Sequence, residues 1–173
     1  MQVWAAEPGE IEALRPRLSE ILVDCVHHGA SVGFLDPLEP AEADAYWQRV
    51  ERAVADDRCV LLVAAPAEGG LAGTVQLDVD TLPNQRHRAT VSKLLVHTSA
   101  RRRGLGEALM RELEQVAVDR GRRLLTLDTA TGDAARLYER MGWRAAGTIP
   151  GYALNPDGSP TGTTFYWKAL EPG

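Results

Sequence analysis

Between Val91 and Gly106 the chain reads VSKLLVHTSARRRGLG, an apolar run that meets three arginines and two glycines just before a helical repeat. Ala89 to Val96 has the β-branched and apolar content of a strand, whereas Leu105, Leu109, Leu113 and Val116 recur at helical spacing. A strand therefore feeds a helix through the loop from His97 to Arg103. Gly104 and Gly106 carry no side chain to block a ligand, so the unpaired amides of the first helical turn can meet an anion directly. The dipole at that helix end favours negative charge. Arg101, Arg102 and Arg103 add forked, permanently charged donors. A diphosphate is the ligand such a loop holds best.

Two familiar phosphate loops can be compared letter by letter. A dinucleotide turn requires Gly-x-Gly-x-x-Gly, yet the third position is Leu109, and His97 to Arg103 intervene where a tight turn belongs. Asp128, about twenty residues on, keeps a dinucleotide-dependent oxidoreductase open as an alternative. No Gly-x-x-x-x-Gly-Lys-Ser/Thr occurs. What the segment resembles is the acyl-CoA signature of the GNAT N-acetyltransferases, Arg/Gln-x-x-Gly-x-Gly/Ala, met by Arg101, Gly104 and Gly106.

Further pieces of that family pattern follow in order. LLTLDT at Leu124 to Thr129 reads as the next strand, and Ala134 to Trp143, AARLYERMGW, is similar to the family segment A-x-x-L-Y-E-x-x-G-F, with Trp143 where phenylalanine is usual. HHGASVGFL at His27 to Leu35, LDT, IPGY and NPDG are similar to the tabtoxin-resistance branch of the family, which acetylates a β-lactam amino-acid toxin.

The resemblance implies an α/β (α+β) GNAT fold, a mixed twisted sheet of about six or seven strands with helices on both faces. It implies acetyl-CoA as cosubstrate, entering between the strands at Val91 to Val96 and Leu124 to Asp128, which should be parallel neighbours that splay apart. Amides near Leu95 and Val96 would hold the pantetheine arm, and Arg101, Arg102, Arg103, Gly104, Leu105 and Gly106 the diphosphate. Tyr138 aligns with the family tyrosine near the thioester sulfur and becomes the expected general acid, since a phenol with a pKa of about 10 is protonated at neutral pH. Many relatives place a glutamate on the strand before the phosphate loop, but RATVSK at Arg88 to Lys93 holds none. Asp128, at the carboxyl end of the next strand, is the candidate for orienting the amine or accepting its proton.

The acceptor, expected to be a small-molecule primary amine and possible toxin or antibiotic, would be held by the loop from Ala30 to Glu39 and a hairpin loop from Ile149 to Thr163. Ser31, Phe34, Asp36, Tyr152 and Asp157 are the candidates there, because carboxylates suit a cationic amine and aromatic rings can wall in its body. Direct transfer is expected, since neither motif contains a cysteine. A domain that binds acyl-CoA as a sensor without turnover is the alternative from another class.

Composition narrows the partners. With 19 basic and 24 acidic residues the formal charge is -5 at neutral pH, which disfavours nucleic acid and leaves the arginine triplet as a local positive spot. At 173 residues the chain suits one domain. The absence of a long apolar run, and an N-terminus without a signal-peptide pattern, lead to the expectation of a cytoplasmic protein that does not enter a membrane. Cys25 and Cys59 read as buried small hydrophobes. His27 and His28 diverge on a helix and cannot share an ion well, and His87 and His97 fall in or beside polar loops, so no metal is expected. The protein is expected to be a monomer or a homodimer.

Along the chain, Gln2 to Ala5 reads as a strand. Glu10 to His28 reads as a helical stretch that Pro16 should kink or divide, and Pro40 opens a second helix running to about Ala55. Strands at Arg58 to Ala65 and Leu71 to Val79 form a hairpin. Beyond the Tyr138 helix, strands at Arg144 to Thr148 and Thr163 to Leu170 should pair across the NPDG turn.

Overall fold

The computed structural model describes residues 1–130 and 132–171. The chain runs β1 (Gln2–Ala5), α1 (Pro8–His27), α2 (Pro40–Ala55), β2 (Cys59–Ala65), β3 (Gly73–Asp78), β4 (Arg88–Val96), α3 (Leu105–Asp119), β5 (Leu124–Thr129), α4 (Gly132–Arg140), β6 (Arg144–Leu154) and β7 (Pro160–Ala169). Seven strands form one sheet in the order β1-β2-β3-β4-β5-β7-β6. All neighbours are antiparallel except β4 and β5, which lie parallel. This is the mixed α/β sheet expected from the family pattern.

Helices cover both faces because the buried strands are apolar on both sides. Along β2, Val60, Leu62 and Ala64 face one cluster with Leu105, Leu109 and Leu113 of α3, while Leu61 and Val63 face Ile11, Leu18 and Leu22 of α1 and Trp47 of α2. No helix among the described residues is long and apolar enough to cross a membrane.

Two irregularities in β4 shape the middle of the sheet. First, its register against β3 slips between Thr74 and Gln76: Thr74 faces Leu95, but Gln76 faces Ser92. One extra residue is therefore inserted in β4, and Lys93 sits there with φ of 53°, a left-handed conformation costly for a side chain other than glycine. Such a bulge reverses the alternation. Ala89 and Val91 pack on the α3 side before it and Leu94 and Val96 after it, while Leu95 turns to the α1 and α2 side.

Second, β4 and β5 pair only from Arg88–Leu124 to Thr90–Thr126. Beyond that point β5 stays with β7 as far as Thr129–Thr164, while β4 stays with β3 as far as Val96. The sheet opens between them.

Two expectations are corrected. Pro16 neither breaks nor divides α1, which is continuous from Pro8 to His27. Pro16 is exposed, so the carbonyl one turn earlier is left to solvent and not to the core, and the buried face through Ile11, Leu18, Leu22 and Cys25 is uninterrupted. The hairpin loop expected from Ile149 to Thr163 is mostly strand: β6 continues to Leu154 and β7 begins at Pro160. Pairing resumes at Ala153–Thr161 after an irregularity beyond Ile149, and Asn155 N donates to Ser159 O (2.8 Å) to close a short turn.

Leu109 tests how tightly α3 seats on the sheet. It is fully buried, and its Cδ1 lies 3.2 Å from where a side chain on Gly73 would begin. Leu109→Ala should cost about 3 kcal/mol and lower the melting temperature by roughly 6 to 12 °C; a loss below ~1 kcal/mol in urea unfolding would show that the site collapses around the cavity.

Candidate active site

The loop after β4 delivers α3 with its first amides bare. Gly104 is the N-cap residue at φ of 80°, a left-handed position that glycine adopts freely, and it offers no side chain to cap the helix. The amides of Leu105, Gly106 and Glu107 precede the first intrahelical bond, which Ala108 N makes to Gly104 O at 3.0 Å. Gly106 is pressed against α4, since a Cβ there would meet Leu137 Cδ2 at 3.4 Å.

A groove of about 540 Å³ opens over this helix start, bounded by Arg101, Arg102 and Gly104 on one side, by Cys25 and His28 of the α1 end on another, and by Arg136 and Arg140 of α4 on a third. Arg103 is exposed and does not line it. Arg101 is partly engaged elsewhere: its Nε donates to Val96 O at 3.2 Å, an oxygen that also accepts from Cys25 Sγ at 3.5 Å. Since His97 N bonds Ala72 O just before β3, alternation turns the amide of Leu95 toward β3 and that of Val96 toward the open edge.

The groove leads to a chamber of about 100 Å³ in the gap between β4 and β5, with Ala30, Leu94 and Ala134 common to both. Tyr138 reaches the chamber from the α3 and α4 side, its ring packed against Trp143 and Tyr166 with centroids 6.0 and 5.9 Å away. Burial, reinforced by the negative charge of Asp128, pushes the Tyr138 hydroxyl well above the ordinary tyrosine range. Asp128 enters from the opposite face, because Leu125 and Leu127 take the core positions of β5.

Beyond the chamber a third space of about 440 Å³ is walled by Ser31, Gly33 and Phe34 of the loop before α2, and by Ser92, Lys93 and Asp128 of the strands. The loop is tied to the β6–β7 turn, with Ser31 Oγ donating to Leu154 O at 3.0 Å and Asp36 N to Pro156 O at 2.9 Å. Phe34 stands edge-on to Tyr46 at 5.4 Å.

Of the residues expected at the acceptor site, Ser31, Phe34 and Asp128 line this space. Asp36 lies on the outside of the loop, 3.4 Å from His27 Nδ1. Tyr152 is half exposed and stacks edge-on upon Phe165 at 5.2 Å, away from these cavities. Asp157 serves its own turn, accepting from Ser159 N (2.9 Å) and Ser159 Oγ (2.5 Å), and those bonds hold its carboxyl below the usual range. Lys93 and Ser92 line the acceptor space, and Cys25 and His28 the groove, without having been expected at either. The signal for Lys93 was a charged residue inside an apolar strand; nothing in the sequence announces that the α1 end closes the groove.

The profile of the acetyltransferase (GNAT) family matches residues 17–143. The chain belongs to the GNAT acetyltransferase family. Its fold is similar to that of a ribosomal-protein-alanine N-acetyltransferase from Brucella melitensis (TM-score 0.79, 23% identity, 98% of this chain and 100% of that one). It is also similar to the yncA protein of Salmonella typhimurium, solved with its cofactor acetyl-CoA (0.77, 20%, 100% and 95%). A phosphinothricin acetyltransferase from Sinorhizobium meliloti, in complex with acetyl-CoA, matches likewise (0.80, 19%, 99% and 89%).

In this acetyltransferase one carboxylate pins the end of β4 to α1. Asp24 accepts from Thr98 N and Thr98 Oγ1, both at 2.8 Å, with His28 Nδ1 at 3.4 Å and His97 Nε2 at 3.7 Å. His97, which the sequence puts in or beside a polar loop, is thus half-buried against Asp24. Among the described residues no group of three His, Cys, Asp or Glu is placed to hold a metal. Burial pushes Asp24 up, but the two Thr98 bonds and the histidines outweigh it and hold the carboxyl below its usual range. A depressed native pKa gives stability that is present above the unfolded value and lost as pH falls through the folded one. Asp24→Ala should therefore cost roughly 1 to 3 kcal/mol at pH 7, a gap that narrows below about pH 4. Urea unfolding of both proteins at each pH measures it, and a gap of constant size would refute the charge as its source.

Proposed function

We propose that this chain transfers the acetyl group of acetyl-CoA directly to a small-molecule primary amine. The observation that carries this reading is the adjacency of three spaces that share lining residues: an arginine-bordered groove over a bare helix start, a small chamber where β4 and β5 part, and a pocket beyond. The groove fits a diphosphate through bare amides at Leu105 and Gly106 and the arginines around them. Bound there, acetyl-CoA would supply an activated thioester. One wall of the pocket is fixed by the Ser31 and Asp36 ties to the far hairpin, and its volume of about 440 Å³ suits a small molecule. Its likeness to the toxin-resistance branch extends the class to amine toxins and antibiotics.

The roles follow from position. The open edge of β4 at Val96 offers an amide to the acyl-donor arm, which would otherwise be an unpaired backbone donor. Asp128 holds the ammonium of the acceptor and takes its proton, directly or through water. As the C–N bond forms and the C–S bond breaks, Tyr138 Oη gives its proton to the departing thiolate. Its raised pKa keeps that proton in place across the neutral range.

Thermal unfolding with acetyl-CoA, and with NAD as control, tests the donor. At a hundred times its dissociation constant the ligand should raise the melting temperature by roughly 5 to 10 °C, and NAD should not. Tyr138→Phe should retain that shift while kcat for thiol release falls roughly 100- to 1000-fold. The alkaline limb due to Tyr138 should lie above pH ~10. Unchanged turnover in Tyr138→Phe would remove it as the acid.

A further inference from the structure

The cation of Lys93 is unexplained by the fold. It occupies a left-handed bulge, a strained position of the kind that structures keep where function requires it. Its side chain lines both the chamber and the acceptor pocket. Its Nζ makes no ion pair or hydrogen bond among the described residues. The neighbours are the ring of Tyr46, whose centroid lies 5.6 Å away, and the backbone of Gly33. Burial draws its pKa down from the ordinary lysine value while the charge of Asp128 draws it up.

Asp128 stands on the same side of the opened sheet, lines the same two spaces and is itself unpaired among the described residues. Thr163, at 2% exposure, also lines the acceptor pocket, and its buried hydroxyl has no hydrogen-bond partner among the described residues. A half-buried cation, a carboxylate and an unsatisfied hydroxyl around one cavity form a polar set that a purely apolar or purely cationic ligand would leave uncompensated. A ligand carrying both charges would satisfy it.

We infer that the acceptor is an amino acid or a related amine bearing a carboxylate, with Lys93 binding the carboxylate and Asp128 receiving the amine. The inference rests on the acetyl-transfer reading and adds the class of its acceptor. Lys93 is a specificity residue under it, holding the acceptor's carboxylate and taking no part in the bonds that change. Glu107, Glu112 and the other surface acids lie outside this pocket, so Asp128 is the carboxylate there that opposes Lys93.

The test uses the protein amino acids, each beside its methyl ester and its decarboxylated amine. Equilibrium binding to the full chain loaded with CoA is measured by calorimetry, and acetyl transfer by thiol release. At least one acid should bind and react better than its ester by roughly 10- to 100-fold. Lys93→Met should raise KM for that acid by a similar factor with little change in kcat, leave the ester unchanged, and melt within a few degrees of the parent. Lys93→Arg should keep the preference. A protein in which no acid is favoured over its ester, in binding or in transfer, overturns the inference, as does a Lys93→Met variant that weakens acids and esters alike. Acetylation of esters and simple amines with no acid preference would overturn it while leaving acetyl transfer standing. Failure of acetyl-CoA to bind would strike the underlying reading instead.

Discussion

Three backbone pairs join the two halves of this sheet, and the site exists because there are no more. Arg88, Ala89 and Thr90 hold Leu124, Leu125 and Thr126, after which each strand follows its other neighbour. β5 is committed to β7 along its whole length, so it leaves with the terminal hairpin. The parting exposes main-chain groups in the interior of a covered sheet, where unpaired donors are expensive. Part of that cost is met within the chain: the Val96 carbonyl accepts from both Cys25 and Arg101. A polar, extended ligand arm can meet the rest, and this is why the gap is a binding site and not a defect.

The bulge at Lys93 works with the gap. Were Lys93 to take a regular strand position instead of bulging out, the first alternation would continue and carry Leu94 and Val96 to the wrong face. With it, both return to the α3 cluster while Leu95 fills the opposite core. The inserted residue belongs to neither core, so it is free to be polar. Its cation meets Tyr46, which is fixed by Gln76 through a 2.8 Å bond and by the edge of Phe34. A backbone irregularity thereby places a charge beside the opening that the parted strands create.

These two features mark where the sequence was informative. Element order was legible because apolar patterning changes cleanly, from the continuous short run CVLLVAA of a strand buried on both faces to a helical repeat through Leu105, Leu109 and Leu113. The phosphate loop was legible because Gly104 and Gly106 answer a local demand for bare backbone. The bulge was also written in the letters: Ala89 and Val91 are the second and fourth residues of β4, and Leu94 and Val96 the seventh and ninth, with Lys93 at the switch. Asp36, Tyr152 and Asp157 were placed by loop membership alone, yet which way a loop residue points depends on tertiary partners such as His27, Phe165 and Ser159. Likewise, Pro16 does not end α1, because its exposed position leaves the freed carbonyl to solvent.

The end of α1 connects what would otherwise be separate sites. Within one turn, Asp24 secures Thr98 ahead of the arginines, Cys25 closes the edge of β4, and His28 borders the groove. The helix then stops at Gly29, whose φ of 86° suits glycine, and the chain enters the loop that carries Ser31 and Phe34 to the acceptor pocket. Donor groove and acceptor wall are thus consecutive in sequence and share one support. Helix shifts are resisted by a packed core, so a displacement of this terminus has to move both together. Loosening Asp24 would accordingly raise the apparent cost of binding on both sides of the gap, although Asp24 itself borders neither the chamber nor the acceptor pocket.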